Sequence, residues 1–246
     1  ITLTNDNLLG KENTFPCSGL EGINAITFDA EGKATVSLKD NEYLEIEGLP
    51  HGTGYTVTEE DYGESYSTQV KKDGEVLSQN TIAGTITVEE VQDIEFYNYR
   101  RFGHLALAKT VSNTTEEGME FEFTITLDNE YLLGKEQSFF AQGIEGMDEI
   151  TFDTEGKAVV KLKADDSLVI FGIPQGTGYT ITEADYSESF RTFVRVDGPE
   201  EVEKNTTSGE IKTDFIENLF FNNVRRLGDL TLSKTVENSE ETDREF

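Results

Sequence analysis

The chain repeats its own sequence at an offset of 124 residues, and this repeat constrains the fold more than any other feature. Towards the end of the repeat the offset becomes 125. The matching pairs are ITLTNDNLLGKE at 1–12 with ITLDNEYLLGKE at 125–136, GLPHGTGYTVTEEDY at 48–62 with GIPQGTGYTITEADY at 172–186, and FYNYRRFGHLALAKTV at 96–111 with FNNVRRLGDLTLSKTV at 221–236. A period of this length is too long for one solenoid unit and suits a whole domain. We therefore expect homologous domains in tandem.

The repeat divides the chain into three parts. We expect a complete module at 103–226 and, at 1–101, a module that lacks its first strands, because Ile1 corresponds to Ile125. Residues 228–246 match the start of the complete module, so they are expected to be the first strand or strands of a further module. The C-terminal tail therefore matches the piece that the first module lacks.

Strand patterns dominate the sequence. Every second residue is apolar in FEFTITL at 121–127 and in AVVKLK at 158–163. Both stretches are rich in β-branched or aromatic side chains. The EGK, LPHG and VDG sequences between such stretches are typical of turns. No long amphipathic helix is indicated. The prediction is an all-β fold of two tandem immunoglobulin-like β-sandwich modules, with about seven to nine strands in each.

The charge balance limits the partners. The chain has 49 acidic and 20 basic residues, which give a formal net charge of −29. Nucleic acid and anionic membrane surfaces are disfavoured as partners because they are negatively charged too. No apolar run approaches the roughly 18 residues that span a bilayer, so membrane insertion is not expected. The single cysteine, Cys17, excludes an intramolecular disulfide, and its repeat counterpart is Ala141, which favours an inert thiol.

Turnover catalysis and metal binding are not indicated. The two histidines, His51 and His104, have Gln175 and Asp229 as repeat counterparts, which favours surface positions for both. The sequence contains no D-x-D-x-D-G calcium loop, zinc spacing, phosphate loop or nucleophile elbow. We therefore expect no enzyme with turnover, no cofactor and no metal.

Three polar side chains of the complete module fall on strand faces that are otherwise apolar, because alternate residues of a strand share a face. They are Lys109, which shares its face with Leu105 and Leu107, Glu183, which shares its face with Tyr179 and Ile181, and Asn223, which shares its face with Phe221. A lysine buried in this way has to be paired, shifted in pKa or chemically consumed. Alternation alone allows a non-covalent buried network as readily as a covalent bond.

The first module carries the same pattern without the lysine. Glu59 and Asn98 match Glu183 and Asn223. The second copy of the lysine strand is LTLSKTV at 230–236, where Leu230, Leu232, Lys234 and Val236 share one face. Lys234 is therefore the amine that matches Lys109.

These three motifs, found in the same order, resemble the Cna B-type domains of Gram-positive surface adhesins and pilins. They are the early-strand lysine, Y-x-x-x-E at 179–183 after a Pro-Gly turn, and F-x-N at 221–223. The resemblance covers essentially the whole chain as two copies. The segment after the glutamate, EEDYGESY or EADYSESF, departs from the family's Pro-Glu-Gly-Tyr-like form.

The resemblance implies an autocatalytic intramolecular isopeptide bond. Lys109 and Asn223 would form the bond, and Glu183 would assist, with Glu59 as its counterpart in the first module. Burial favours a neutral amine and a protonated carboxyl. We expect that carboxyl to hydrogen-bond the asparagine carbonyl and to relay protons as ammonia leaves.

For the first module we expect a bond between Asn98 and Lys234 of another chain, formed when the tail of that chain supplies the missing strand. The five or so residues after Arg225 reach at most about 17 Å, which is too short for the tail to return to its own first module. Copies of the chain would then join head to tail. The alternative is that the neighbouring repeats belong to one longer tandem array.

The expected function is a structural stalk or fibre subunit, extracellular and anchored in the cell wall or at the surface of a Gram-positive-like cell. The alternative is an adhesin module that binds a host or matrix ligand. Its binding surface would lie in the stretches where the repeats differ most, 63–95 and 187–218.

Overall fold

The computed structural model describes residues 1–63, 65–88, 91–115, 117–235, 237 and 245. These residues form twenty strands and no helix, so the all-β prediction is confirmed. The chain divides into two compact units. Unit 1 comprises residues 1–102 with 174–176, and unit 2 comprises residues 103–173 with 177–246.

Unit 1 contains the first nine strands. They are β1 (Thr2–Thr4), β2 (Asn13–Ser18), β3 (Ala25–Phe28), β4 (Glu45–Ile46), β5 (Gly54–Thr58), β6 (Tyr66–Lys72), β7 (Glu75–Leu77), β8 (Thr81–Thr85) and β9 (Ile94–Arg100).

Unit 2 contains the other eleven strands. They are β10 (Phe102–Ser112), β11 (Glu120–Asp128), β12 (Gln137–Gln142), β13 (Glu149–Phe152), β14 (Lys157–Lys163), β15 (Ser167–Pro174), β16 (Gly178–Glu183), β17 (Phe190–Val196), β18 (Val202–Glu203), β19 (Thr206–Glu210) and β20 (Ile216–Arg225). This is more than the expected seven to nine, because the short strands β13 and β18 extend the two edges of one sheet.

Unit 2 is a sandwich of two sheets. A seven-stranded sheet has the order β13-β12-β15-β10-β20-β17-β18, and a four-stranded sheet has the order β14-β11-β16-β19. Side chains alternate between buried and outward positions along β11 and β14, as their sequences predict. The inward side chains form one apolar core between the sheets, which includes five fully buried phenylalanines, Phe121, Phe123, Phe152, Phe190 and Phe221.

The lysine strand β10 lies in the middle of the seven-stranded sheet. It pairs in parallel with β20, and its other neighbour is β15. The first and last strands of unit 2 are therefore adjacent, and because they run parallel, the chain enters the pair at one end and leaves it at the other.

In unit 1 the described residues form three separate three-stranded sheets. Two of these, β3-β2-β4 and β7-β6-β9, have the strand orders that flank β10 in unit 2, namely β13-β12-β15 and β18-β17-β20. Among the described residues of unit 1 no strand occupies the place of β10. The core of this unit is correspondingly small and includes the free thiol of Cys17, which is buried.

No helix formed by the described residues is long and apolar enough to cross a membrane.

Candidate functional site: a buried lysine, glutamate and asparagine

The pairing of β10 with β20 brings Lys109 and Asn223 onto adjacent strands of one sheet. Lys109 lies opposite Phe221, and Val111 lies opposite Asn223, so the lysine and the asparagine are two positions apart along the parallel pair. Both point into the core with no exposed surface. The long lysine side chain spans this diagonal easily.

Glu183 comes from the other sheet. It is the last residue of β16, where it lies opposite Phe123, and its side chain is fully buried. Since packed sheets lie about 10 Å apart, a glutamate from one sheet reaches a lysine and an asparagine on the other across the core.

One carboxylate oxygen contacts both nitrogens. The Lys109 Nζ lies 3.3 Å from Glu183 Oε1, and the Asn223 Nδ2 donates to the same oxygen at 3.1 Å. The structure thus brings together the three side chains that the sequence singles out in the complete module. It differs from the sequence expectation in one respect: the carboxyl faces the amide nitrogen and not the amide carbonyl. A carboxyl between two nitrogens is placed to carry a proton from one to the other.

The amide oxygen of Asn223 has a different environment. Asn223 Oδ1 is buried and has no hydrogen-bond partner among the described residues. An unsatisfied buried acceptor is costly in a resting structure, and such groups occur at sites with chemical roles.

Aromatic rings shield the lysine from water. The Lys109 Nζ lies 4.3 Å from the centre of the Phe121 ring. Phe121 in turn packs edge-on against Tyr186 and Phe190. The Lys109 Nζ also donates to its neighbour's backbone, the Thr110 carbonyl, at 3.0 Å. Apart from these polar contacts, the amine is in an apolar environment.

Burial changes the protonation of both charged groups. It lowers the pKa of Lys109 from 10.5 to about 8, although the nearby Glu183 opposes the shift. Burial likewise raises the pKa of Glu183, against the effect of Lys109 and of the hydrogen bonds from Thr192 and Asn223. Both shifts favour the neutral pair, an amine and a carboxylic acid, over the ion pair. A neutral amine is a nucleophile, and it lies within the same cluster as an amide carbon.

The structure adds Thr192, which alternation of apolar residues does not single out. Thr192 lies opposite Asn223 in the β17–β20 pair and donates to Glu183 Oε2 at 3.0 Å. The repeat contains a signal that identifies it, because RTFVRVDG at 191–198 aligns with STQVKKDG at 67–74 and places Thr68 at the same position.

In unit 1 the corresponding side chains also meet. Asn98 Nδ2 donates to Glu59 Oε1 at 2.6 Å, and Thr68 Oγ1 donates to Asn98 Oδ1 at 2.7 Å. Here Asn98 is exposed and Glu59 is half-buried, with Glu59 Oε2 buried and without a hydrogen-bond partner among the described residues. The carboxyl again faces the amide nitrogen.

The second lysine strand is not folded as a strand in this structure. Residues 228–235, which include Lys234, are exposed and have no regular secondary structure. Leu230 and Leu232 expose 94% and 93% of their surface, whereas the matching Leu105 and Leu107 are buried. Val236 and most of the tail after it lie outside the described residues.

Among the described residues no group of three or more histidine, cysteine, aspartate or glutamate side chains is placed to hold a metal ion.

Solved structures share the fold of the chain. The major pilin from Streptococcus pyogenes is 18% identical over 87% of this chain and 91% of its own length, with a TM-score of 0.50. The major pilin protein T3.2 from the same species is 16% identical over 90% and 94% of the two chains, with a TM-score of 0.52. At these identities the likeness is one of fold, a pilin-like all-β architecture.

A pilus-presented adhesin, Spy0125 (Cpa), is 31% identical over 49% of this chain, with a TM-score of 0.40. The chain spans about a quarter of that adhesin, 26% of its length. A search of curated proteins gives no match. A family model described as "Domain of unknown function (DUF7601)" matches residues 1–100 and again residues 103–225, so the chain belongs to the DUF7601 family.

Proposed function

We propose that the chain is a structural stalk or fibre subunit of a bacterial cell-surface appendage, and that an isopeptide bond between Lys109 and Asn223 locks unit 2. The observation that carries the proposal is the buried contact of Lys109 and Asn223 with one oxygen of Glu183. Two observations support the surface location: the pilin-like fold, and the resemblance of the motifs to the Cna B-type domains of Gram-positive surface proteins.

The reaction is an amide exchange. The neutral Lys109 amine adds to the Asn223 side-chain carbon, and a new carbon–nitrogen bond forms. The attacking nitrogen gives one proton to the Glu183 carboxyl group, which gives one to the amide nitrogen. The bond from the side-chain carbon to Nδ2 then breaks and ammonia leaves, so that the carboxyl ends in its starting state. No oxidant or cofactor is required, and the reaction occurs once per unit.

The buried site favours this step for two reasons. Both reacting groups contact one carboxyl oxygen at 3.1–3.3 Å, so little further ordering is needed. The surrounding phenylalanines exclude water, which lowers the pKa of the amine and disfavours hydrolysis.

The position of the bond fits a load-bearing role. A pulling force on the chain enters unit 2 through β10 and leaves through β20, the first and last strands. The bond joins these two strands directly. Force therefore passes through a covalent amide, and the hydrogen bonds and core of the sandwich bear little of it.

Intact mass under denaturing conditions tests the bond. The wild-type chain is expected to be lighter than its sequence by one ammonia for unit 2, and Lys109→Ala is expected to show no such loss. Lys161→Ala, at an exposed lysine of β14, is the matched control and should keep the loss. A wild-type mass equal to the sequence mass would refute the bond.

A second, separate proposal concerns unit 1: the segment around Lys234 of another copy completes it. Two observations favour this. The strands that correspond to the seven-stranded sheet of unit 2 form two separate sheets in unit 1, divided where β10 would lie, and Leu230 and Leu232 are exposed. If the segment pairs with β9 as β10 pairs with β20, Lys234 lies opposite Phe96 and two positions from Asn98. The same cluster of amine, carboxyl and amide then forms in unit 1.

Boiling in SDS under reducing conditions tests this second proposal. Purified wild-type chain is expected to give a ladder of covalent oligomers, and Lys234→Ala or Asn98→Ala is expected to give monomer. A wild-type sample that runs as monomer would rule out cross-linking between copies.

A further inference from the structure

We propose that Thr192 is a catalytic residue of bond formation, whose hydroxyl donates to the Asn223 carbonyl oxygen while negative charge develops there. The inference rests on the proposed isopeptide reaction and adds a group to which no motif assigns a role. It follows from a comparison of the same site in the two units.

In unit 2 the carbonyl oxygen that must take up charge lacks a donor. Glu183 Oε1 faces the amide nitrogen of Asn223, and Asn223 Oδ1 is buried without a partner among the described residues. Since the carboxyl serves the two nitrogens, a different group has to stabilise the oxygen. Thr192 lies directly opposite Asn223 on the neighbouring strand, and its hydroxyl donates to Glu183 Oε2 at 3.0 Å.

Unit 1 has the same three residue types, threonine, asparagine and glutamate, but there the threonine hydroxyl donates to the amide oxygen and not to the carboxyl. Thr68 lies opposite Asn98, as Thr192 lies opposite Asn223. Its hydroxyl donates to Asn98 Oδ1 at 2.7 Å while Asn98 Nδ2 donates to Glu59 Oε1. A threonine at this position therefore reaches either the carboxyl group or the amide oxygen. A hydroxyl has one proton to donate and rotates to suit its acceptor.

These two arrangements correspond to two stages of the reaction. At rest the Thr192 hydroxyl donates to the carboxyl. As the Lys109 nitrogen bonds to the side-chain carbon of Asn223, the carbonyl electron pair moves onto Oδ1, and the hydroxyl turns to it. When the carbon–nitrogen bond to Nδ2 breaks, the electron pair returns to re-form the carbonyl and ammonia carries the relayed proton away. Donors aimed at developing charge in a dry site have large effects on rate.

The rate of ammonia loss in freshly made protein tests the role. The full chain is synthesised in a cell-free system, samples are quenched in denaturant at intervals, and the bonded fraction is read by intact mass. Thr192→Val keeps the branched shape and removes the donor, so bond formation is expected to slow about 100-fold, as for loss of one oxyanion donor. Thr192→Ser restores the hydroxyl and is expected to stay near the wild-type rate. Thr206→Val, at an exposed threonine of β19, is the control and should react at the wild-type rate.

Measuring stability in a chain that cannot form the bond distinguishes a catalytic role of Thr192 from a structural one. In a Lys109→Ala background, Thr192→Val is expected to lower the midpoint of unfolding only by the loss of its one hydrogen bond to Glu183, and this loss is the structural part of the effect. Equal bonding rates for Thr192→Val and wild type would overturn the inference, as would failure of Thr192→Ser to restore the rate. If wild type loses no ammonia, it is the proposed isopeptide bond that fails.

Discussion

Substituting Asn223 by alanine removes the acceptor of the proposed bond while leaving Lys109 in place as a free amine. The bond closes a loop of about 115 residues, from 109 to 223. By the loop-entropy relation for covalent cross-links, a loop of that length contributes about 5 kcal/mol to the free energy of unfolding. Asn223→Ala is expected to lose this contribution at every pH.

A second, pH-dependent cost comes from the free lysine. Burial lowers the folded-state pKa of Lys109 from 10.5 to about 8. At about 1.4 kcal/mol for each pH unit, this shift destabilises the folded variant by roughly 3 kcal/mol when the amine is charged. The unfolded chain binds more protons than the folded one between pH 8 and 10.5, so the stability of the variant rises with pH across that window. In the bonded protein the nitrogen is an amide and does not titrate.

The two effects give a deficit that depends on pH. Relative to wild type, Asn223→Ala is expected to be less stable by about 8 kcal/mol at pH 7 and by about 5 kcal/mol above pH 10.5. Guanidinium unfolding of the full chain, followed by circular dichroism at both pH values, measures this difference, and subtraction of wild type removes the titration of all other groups. Asn222→Ala, on the outward face of β20, is the control and should show neither effect. Equal stability of Asn223→Ala and wild type would refute the bond, and a deficit that stays constant from pH 8 to 10.5 would refute the account of the buried amine.

Three further predictions concern the formation of the bond. Glu183→Gln keeps the shape of the side chain but cannot relay a proton, so its mass is expected to stay at the sequence value after a day at neutral pH; loss of ammonia at the wild-type rate would show that the carboxyl is dispensable. Phe121→Ala opens a cavity beside the amine, and we expect a loss of about 3–5 kcal/mol of stability and slower bonding, whereas Phe140→Ala, at a side chain that is 58% exposed, should change neither. The Lys109 amine and the Glu183 carboxyl share one proton in the reactive state. They lose it above the pKa of Lys109, about 8, so the bonding rate is expected to fall as the pH rises further. A rate in quenched time courses that still climbs towards pH 10.5 would contradict the need for a protonated carboxyl.

Much of the candidate site was predictable because alternation along a strand is a local property. Lys109 follows Leu105 and Leu107 on one face, and that face becomes buried whichever strands lie beside it. The same reasoning applies to Glu183 and Asn223. The repeat then showed that glutamate and asparagine recur without the lysine in residues 1–101.

Sequence reasoning did not identify Thr192, because the apolar pattern of its strand is weak and its partner lies on another strand. The hydrogen bond to Glu183 depends on the pairing of β17 with β20 and on the packing of one sheet over the other. For the same reason sequence reasoning expected the carboxyl at the amide carbonyl, whereas in the structure it faces the amide nitrogen. Hydrogen-bond geometry in a core depends on side chains from several strands at once.

By itself the sequence determined the all-β class, the inward faces of the strands and the identity of the polar residues on those faces, since each follows from residues close together along the chain. Only the tertiary structure decided that β10 lies beside β20 at the centre of a seven-stranded sheet, and that one oxygen of Glu183 contacts both nitrogens. Strand order, register and the facing of two sheets depend on contacts between residues that lie from tens to more than a hundred positions apart. Local periodicity carries no information about these contacts.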